Sequence, residues 1–148
     1  MLKGIDPVLC PELLAILRAM GHGDEIVIAD AHFPAASHAR RLVRADGASA
    51  SRLVRAIVSL LPLDSYVPNA VFRMAVSGKP DEVPPIVAEY DAILTKAGYE
   101  AAIEPIERFA FYERAAKAYA IVATGEERQW ANLILKKGVI VPNGQWGA

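Results

Sequence analysis

The stretch PELLAILRAMGHGDEIVIAD, residues 11–30, contains the two kinds of element that decide the fold. Leucines and isoleucines recur at helical spacing after Pro11, which is typical of a first helical turn, and Gly21 follows where a helix end favours glycine. The apolar run of residues 25–30 predicts a strand. Because its apolar residues are consecutive, we expect this strand to be buried on both faces.

The same alternation continues along the chain. Further helices are predicted from Ser49 or Ser51 to Pro62 and over residues 85–96 and 108–118. Further strands are predicted over residues 42–45, 70–76, 119–123 and 133–135. Residues 31–40 indicate a loop or a short irregular helix, and residues 101–106 are ambiguous. We therefore expect one α/β domain over residues 1–148, with a mixed or largely parallel sheet covered by helices.

Two helical faces are predicted to lie in the core. In the second helix this face includes Leu53, Ile57 and Leu60. In the last helix, Phe109 and Tyr112 share one face with an alanine, and we expect that face to pack inward.

Composition excludes several classes of function. The 148 residues are 53% hydrophobic and 22% charged, which is typical of a folded domain and not of a disordered chain. A net charge of −1 offers no field for nucleic acid or an anionic membrane. The single cysteine, Cys10, excludes an intrachain disulfide and a cysteine-rich zinc site.

No targeting or membrane segment is predicted. The longest uncharged stretch, residues 138–148, is far shorter than the roughly 20 residues of a membrane helix. A basic start followed by an apolar run would indicate secretion, and the sequence does not begin that way. We therefore expect a cytoplasmic protein.

His22 is the first candidate for chemistry. It stands between two glycines directly after a predicted helix end, so its imidazole is uncrowded and suits acid–base work near neutral pH. The alternative is an ordinary exposed loop histidine. A dinucleotide-binding fingerprint is excluded, because these glycines follow a helix rather than a strand and the third glycine is missing.

Asp30 closes an apolar strand, where an α/β fold presents binding residues. Its carboxylate can accept hydrogen bonds from two vicinal sugar hydroxyls, or it can simply form the following turn. His32 and His38 lie six residues apart without a nearby cysteine, so a metal site there would need distant ligands. We expect no metal.

Three further side chains suit a polar ligand. Arg108 can hydrogen-bond a ligand through its planar guanidinium, or form a surface ion pair instead. Trp130 and Asn132 alternate, so both would point to one side of an extended segment. A tryptophan beside an asparagine can stack on a sugar face and hold a hydroxyl, although Trp130 can equally serve packing alone. A hydrolase triad has no support, because no nucleophile elbow occurs.

Taken together, these strings resemble a known family. They include MGHGDEI at residues 20–26, DAHFP at 30–34, RADG at 44–47, LDSY at 63–66, RFAFYER at 108–114 and LILKKGV at 133–139. The chain resembles the L-fucose mutarotase and D-ribose pyranase family nearly end to end. RFAFYER is similar to the fucose branch, because the ribose branch carries a different, histidine-containing string there.

The resemblance implies an isomerase that interconverts the α and β anomers of a free sugar, L-fucose, without a cofactor. It implies His22 as the catalytic acid–base residue, with Asp30, Arg108 and Asn132 binding the sugar. It also implies a homodecamer of two pentameric rings with sites at subunit boundaries. The family usually has tyrosine where this chain has Trp130, and an indole can donate a hydrogen bond but not accept one.

Two alternatives remain open at this point. Trp130 can have adapted the pocket to another aldose, such as a different deoxyhexose or ribose. Alternatively, the protein binds a monosaccharide without catalysis, within a sugar transport or catabolic system. The first would accelerate the anomeric exchange of another sugar, whereas the second would bind one anomer and leave the exchange rate unchanged.

Overall fold

The computed structural model describes residues 1–142, so the last six residues of the predicted domain lie outside the described part. The helices are α1 (Pro11–Ala19), α2 (Ala35–His38), α3 (Ala50–Val58), α4 (Ile86–Lys96) and α5 (Arg108–Lys117). The strands are β1 (Glu25–Ala29), β2 (Leu42–Ala45), β3 (Val71–Met74), β4 (Glu104–Ile106), β5 (Ala120–Thr124) and β6 (Leu133–Lys136). Each predicted helix and strand is therefore present, and the ambiguous residues 101–106 hold β4.

The six strands form one mixed sheet in the order β2-β5-β1-β6-β3-β4. Parallel pairs join β2 to β5, β5 to β1, and β3 to β4. Strand β6 is antiparallel to both of its neighbours, β1 and β3, so the other five strands point the same way. The expected α/β class with a mixed sheet is confirmed, and the strand order adds what the sequence did not predict.

Helices cover the sheet on both faces, which explains the continuous apolar runs of its central strands. Along β1, Ile26 and Ile28 pack with α1, α3 and α4, whereas Val27 and Ala29 pack with α2 and α5. The expectation that this strand is buried on both faces is confirmed. Within residues 1–142, each helix is too short or too polar to cross a membrane.

Two expected core positions are wrong. Helix α3 ends at Val58, so Leu60 falls in the turn beyond it and is 38% exposed. In α5 the inward face is Phe111 with Ala115, both fully buried, while Phe109 is 65% exposed. The helix begins at Arg108, and its rotation against the sheet turns Phe109 toward solvent.

Because five strands share one direction, the sheet has a carboxyl edge and an amino edge that carry different candidate residues. At the carboxyl edge, β1 ends before Asp30 and β4 ends before Arg108, while the antiparallel β6 begins just after Asn132. At the amino edge, His22 precedes β1, and the segment before β3 meets the end of β6 through a bridge between Leu63 and Lys137.

Candidate functional site

A cavity of about 330 Å³ opens at the carboxyl edge, and we call it the carboxyl-edge pocket. Its lining side chains belong to Asp30, His32, Phe33, Met74, Arg108, Tyr112, Gln129, Trp130 and Asn132. Four of the five predicted site residues therefore line one cavity, although they come from distant parts of the sequence. Its volume lies in the range of pockets that take small ligands.

Asp30 and Asn132 form the buried floor of the pocket, at 4% and 3% exposure. The Asp30 backbone N–H donates to Asn132 Oδ1 at 2.8 Å, and the His32 backbone N–H donates to Asp30 Oδ1 at 3.0 Å. Burial raises the pKa of the Asp30 carboxyl above its ordinary value, and the hydrogen bond from His32 opposes that rise. Asp30 thus forms the predicted turn and also lines the pocket.

The geometry shows which atoms of Asn132 already have partners. Its amide oxygen already accepts the Asp30 backbone N–H, and its Nδ2 lies 3.7 Å from Met74 Sδ. The side chain therefore positions Asp30, and only its amide nitrogen retains a hydrogen for a ligand.

Arg108 occupies the first turn of α5, directly above the pocket. The Glu107 carboxylate caps this helix by accepting from the Phe109 and Ala110 backbone N–H groups, each at 3.0 Å. Arg108 Nε donates to the Tyr112 hydroxyl at 3.0 Å, one helical turn later. Among residues 1–142 the guanidinium makes this one hydrogen bond, so its two terminal nitrogens remain to meet a ligand.

Trp130 lines the pocket from a backbone conformation that is rare for a tryptophan. Its φ is +62°, the sole positive φ of a non-glycine residue within residues 1–142. The left-handed conformation costs about 1–2 kcal/mol in an L-residue, and such strain collects at functional sites. The segment is therefore not extended at Trp130, contrary to expectation, although Trp130 and Asn132 do line the same cavity.

His22 lies at the amino edge, away from the pocket. Its side chain is 45% exposed, and Nε2 lies 3.1 Å from Oδ1 of Asp64, which is only 3% exposed. The Tyr66 ring lies beside the imidazole, with 5.5 Å between ring centroids. Because a carboxylate at Nε2 fixes a proton there, Nδ1 of the neutral ring is left as the basic nitrogen.

Asp64 is a candidate site residue that the sequence analysis did not single out. Its carboxylate also accepts the Tyr66 backbone N–H at 3.0 Å, and this bond is the main reason that the pKa of Asp64 falls below its ordinary value. The close approach of this segment to β6 requires glycine at position 138: a Cβ on Gly138 would lie 2.6 Å from the Leu63 carbonyl oxygen and 2.7 Å from Asp64 Cα. The string LDSY contributes to the family resemblance, but nothing local marks its aspartate as a partner of His22.

The structure does not bring His22 to the other four predicted residues within one chain. His22 precedes β1 and Asp30 follows it, so the length of the strand separates them. At about 3.3 Å per residue, its five residues put roughly 15 Å between the two edges. Proton transfer requires contact at about 3 Å, so one sugar cannot touch both groups of the same chain.

The two histidines weighed as metal ligands both have backbone partners. His32 Nε2 lies 3.0 Å from the Glu127 carbonyl oxygen, and His38 Nδ1 lies 3.0 Å from the Pro34 carbonyl oxygen. Among residues 1–142, no group of three His, Cys, Asp or Glu side chains is arranged to hold a metal ion.

The fold and the carboxyl-edge pocket define a class: an α/β domain with a small-ligand site at the carboxyl edge of its sheet. Comparison with known proteins then identifies the family. The chain belongs to the RbsD / FucU transport protein family, whose sequence profile matches residues 3–140. This confirms the resemblance stated from the sequence.

Three known proteins show what this chain is similar to in sequence and structure. Fucose mutarotase of Homo sapiens is 50% identical over 148 aligned positions, which cover 96% of this chain and 96% of that protein. The crystal structure of the fucose mutarotase in complex with L-fucose from Streptococcus pneumoniae has a TM-score of 0.89 at 48% identity, over 95% of this chain and 100% of that one. Bacillus subtilis RbsD complexed with D-ribose shares the fold, with a TM-score of 0.72 at 23% identity over 95% and 100% of the two chains.

Proposed function

We propose that this protein is a cofactor-independent mutarotase that interconverts the α and β anomers of free L-fucose. The observation that carries the proposal is the carboxyl-edge pocket, where the Asp30 carboxylate, the Arg108 guanidinium and the Trp130 ring line one cavity. The similarity to fucose mutarotases at 48–50% identity over nearly the whole chain supports both the reaction and the sugar. In this proposal, residues 1–148 form one mutarotase domain.

Mutarotation needs only two proton transfers. A base removes the proton of the anomeric hydroxyl while an acid delivers one to the ring oxygen, which opens the ring. Closing on the other face reverses both transfers. Each well-placed acid or base contributes about 10²–10⁴-fold, and the reaction already proceeds in water.

The pocket side chains bind and orient the sugar. Asp30 accepts hydrogen bonds from two sugar hydroxyls, and the terminal nitrogens of Arg108 donate to a third. Trp130 stacks on the apolar face of the ring. Asn132 holds Asp30 in place and offers its amide nitrogen to a hydroxyl. The second proton carrier is Asp30, whose raised pKa eases protonation, Tyr112, whose hydroxyl Arg108 orients, or a bound water.

His22 exchanges the other proton, and it reaches the sugar from a neighbouring subunit. The roughly 15 Å between the two edges supports this arrangement, because a single chain cannot close the site. Exposed apolar side chains beside both halves also support it: Tyr66 at 71% and Phe109 at 65% exposure. Stacking the amino edge of one subunit on the pocket of the next would cover both. Such a head-to-tail contact generates a ring, and we propose a homodecamer of two pentameric rings.

Saturation transfer between the anomeric proton resonances of L-fucose tests the activity. Exchange should be faster with the protein present, and His22→Gln should abolish the acceleration while leaving the fold intact. If exchange is unchanged for L-fucose but faster for ribose or another deoxyhexose, the substrate is that sugar and not L-fucose. If the protein binds one anomer but accelerates the exchange of no aldose, it is a non-catalytic sugar-binding protein and not a mutarotase.

Assembly and location have their own tests. Sedimentation should give a species ten times the mass of the chain, and a monomer would contradict an inter-subunit site. We propose a cytoplasmic location, since a single cysteine makes no demand on an oxidising compartment. Recovery of the protein from the medium after cell fractionation would contradict that location.

A further inference from the structure

A network of charges lies behind the carboxyl-edge pocket, on the segment that joins β5 to β6. Arg128 Nε and Nη2 donate to the two carboxylate oxygens of Glu126 at 2.8 and 3.1 Å. Its Nη1 and Nη2 donate to the two carboxylate oxygens of Glu89, on α4, at 2.6 and 3.2 Å. The guanidinium therefore uses all three nitrogens to join the pocket segment to a helix outside it.

The partners of Arg128 are themselves fixed. Glu126 is 6% exposed, and the Arg128 guanidinium holds the pKa of its carboxyl below the usual range. The Glu126 backbone carbonyl accepts the Ala31 N–H at 2.8 Å, directly beside Asp30. On the other side, the Ser51 hydroxyl donates to the Glu89 carboxylate. The network thus connects α3, α4 and the strand end that carries Asp30.

Trp130 stands between two anchored positions of this segment. Arg128 holds the position two residues before it, and the Tyr90 hydroxyl donates to the Ala131 carbonyl oxygen at 2.6 Å directly after it. Between them, Trp130 adopts its left-handed backbone conformation, with φ at +62°. A tryptophan keeps such a conformation only where its surroundings impose it.

We propose that Arg128 is a positioning residue for the sugar pocket: by linking Glu126 to Glu89, it holds Trp130 in the left-handed conformation that places the indole in the pocket. This inference rests on the proposed mutarotase function. Arg128 does not line the pocket, so it acts on the sugar through Trp130 and takes no part in proton transfer.

The test compares Arg128→Met and Arg128→Lys with the control Arg52→Met. Arg52 pairs with Asp6 at 3.0 Å, and its side chain is 50% exposed, against 45% for Arg128. All chains carry Trp146→Phe, so that fluorescence reports Trp130 alone. Kinetic constants for L-fucose come from saturation transfer, and Trp130 emission is recorded without sugar.

Arg128→Met should shift the Trp130 emission and raise KM about tenfold, less than the roughly 10²-fold that a 1 Å misplacement can cost. It should leave kcat nearly unchanged, because His22 is untouched. Arg128→Lys should give a KM between those of the wild type and Arg128→Met, and Arg52→Met should have the KM and emission of the wild type. A folded Arg128→Met protein with unchanged emission and KM would overturn the proposal, as would a fall in kcat at constant KM.

A double-mutant cycle tests whether Arg128 acts through Trp130. In a Trp130→Ala background, Arg128→Met should change KM little, because the indole that it positions is gone. An equal rise of KM in both backgrounds would overturn the proposal. Where Arg128→Met fails to fold, Glu89→Gln replaces it: this variant keeps Glu126 paired and should raise KM in the same direction, and an unchanged KM there would count against the role of the network.

Failure of this inference differs from failure of the proposed function. If the wild type does not accelerate L-fucose exchange, the mutarotase proposal fails. The emission of Trp130 in the Arg128 variants still decides whether the network holds the tryptophan, because that measurement contains no sugar.

Discussion

The two edges of the sheet differ in how firmly their functional side chains are held. At the carboxyl edge, Asp30 and Asn132 are buried and hydrogen-bonded to each other, and Trp130 lies between two anchored positions. At the amino edge, His22 is 45% exposed, and within residues 1–142 its ring has one hydrogen-bond partner, Asp64. The pocket is thus preorganised within one chain, whereas the imidazole of His22 is presented outward, which fits the proposed site between subunits.

The largest expected effect separates the two edges by function. His22→Gln should lower the rate acceleration by about 10²–10⁴-fold, the contribution of a well-placed acid–base group. Sugar affinity should stay near that of the wild type, since the pocket is intact. Saturation transfer measures the rate and calorimetric titration measures the affinity. A variant that loses affinity and rate together would show that His22 binds rather than catalyses.

At the pocket, Asp30→Asn should raise KM by about 10- to 100-fold, because hydrogen bonds to a charged group contribute about 1.5–3 kcal/mol. Although it weakens sugar binding, the same substitution should stabilise the folded chain. Burial raises the pKa of Asp30 in the folded chain. Ionisation of this carboxyl at neutral pH therefore lowers the free energy of unfolding.

The same substitution should therefore raise Tm at pH 7. As the pH falls, this gain should shrink once the pH passes the raised pKa and vanish below the ordinary value of 3.8. Thermal unfolding across that range measures it. A variant that is less stable at pH 7 would mean that the Asp30 carboxylate is stabilised by partners rather than penalised by burial.

These edges also show what the sequence can predict. Strands β1 and β5 are predictable because a continuous run of apolar residues by itself indicates a strand buried on both faces. Asp30 is predictable because it directly follows such a run. Strand order was not predictable, since pairing β6 between β1 and β3 depends on contacts far apart in the chain. The left-handed backbone of Trp130 is not predictable from the residues around it, because it depends on contacts that Arg128 and Tyr90 make in the folded chain.

The amino edge was harder to predict for a physical reason. Asp64 lies in an irregular segment, and only the bridge between Leu63 and Lys137 brings it to His22. Phe109 was assigned to the core because aromatic spacing fits a helix face, but spacing does not say which way the helix is turned. The family resemblance supplied the expected role of His22, while the distance between the edges came from the fold.

A smaller effect tests whether Asp64 orients His22. Asp64→Asn should lower kcat about tenfold, a fraction of the about 10²–10⁴-fold that the histidine supplies, and should leave KM unchanged. Asparagine keeps an oxygen near His22 Nε2 but removes the charge. Steady-state analysis of saturation-transfer rates measures both constants. If kcat does not change, Asp64 is only a structural neighbour of the imidazole.

The last expected effect is on stability rather than on activity, and it concerns the backbone that brings Asp64 to β6. Gly138→Ala places a Cβ 2.6 Å from the Leu63 carbonyl oxygen, and we expect a loss of about 1–3 kcal/mol in the free energy of unfolding. Gly47→Ala is the matched control, because a Cβ there meets no atom of residues 1–142 within 4 Å. Denaturant unfolding compares the two. Equal stability of both variants would mean that the close approach at Gly138 is relaxed without cost.

The central claim is that one active site takes its histidine from one subunit and its pocket from the next. Co-assembly of His22→Gln chains with Asp30→Asn chains tests it directly, because each variant alone has a defect in every site. If the site is shared, random mixing in a ring should restore about a quarter of the exchange rate that the wild type shows at sugar concentrations well below its KM, since about one interface in four joins an intact His22 to an intact Asp30. If mixed assemblies are no more active than the separate variants, both residues act within one chain, and a site shared between subunits is contradicted.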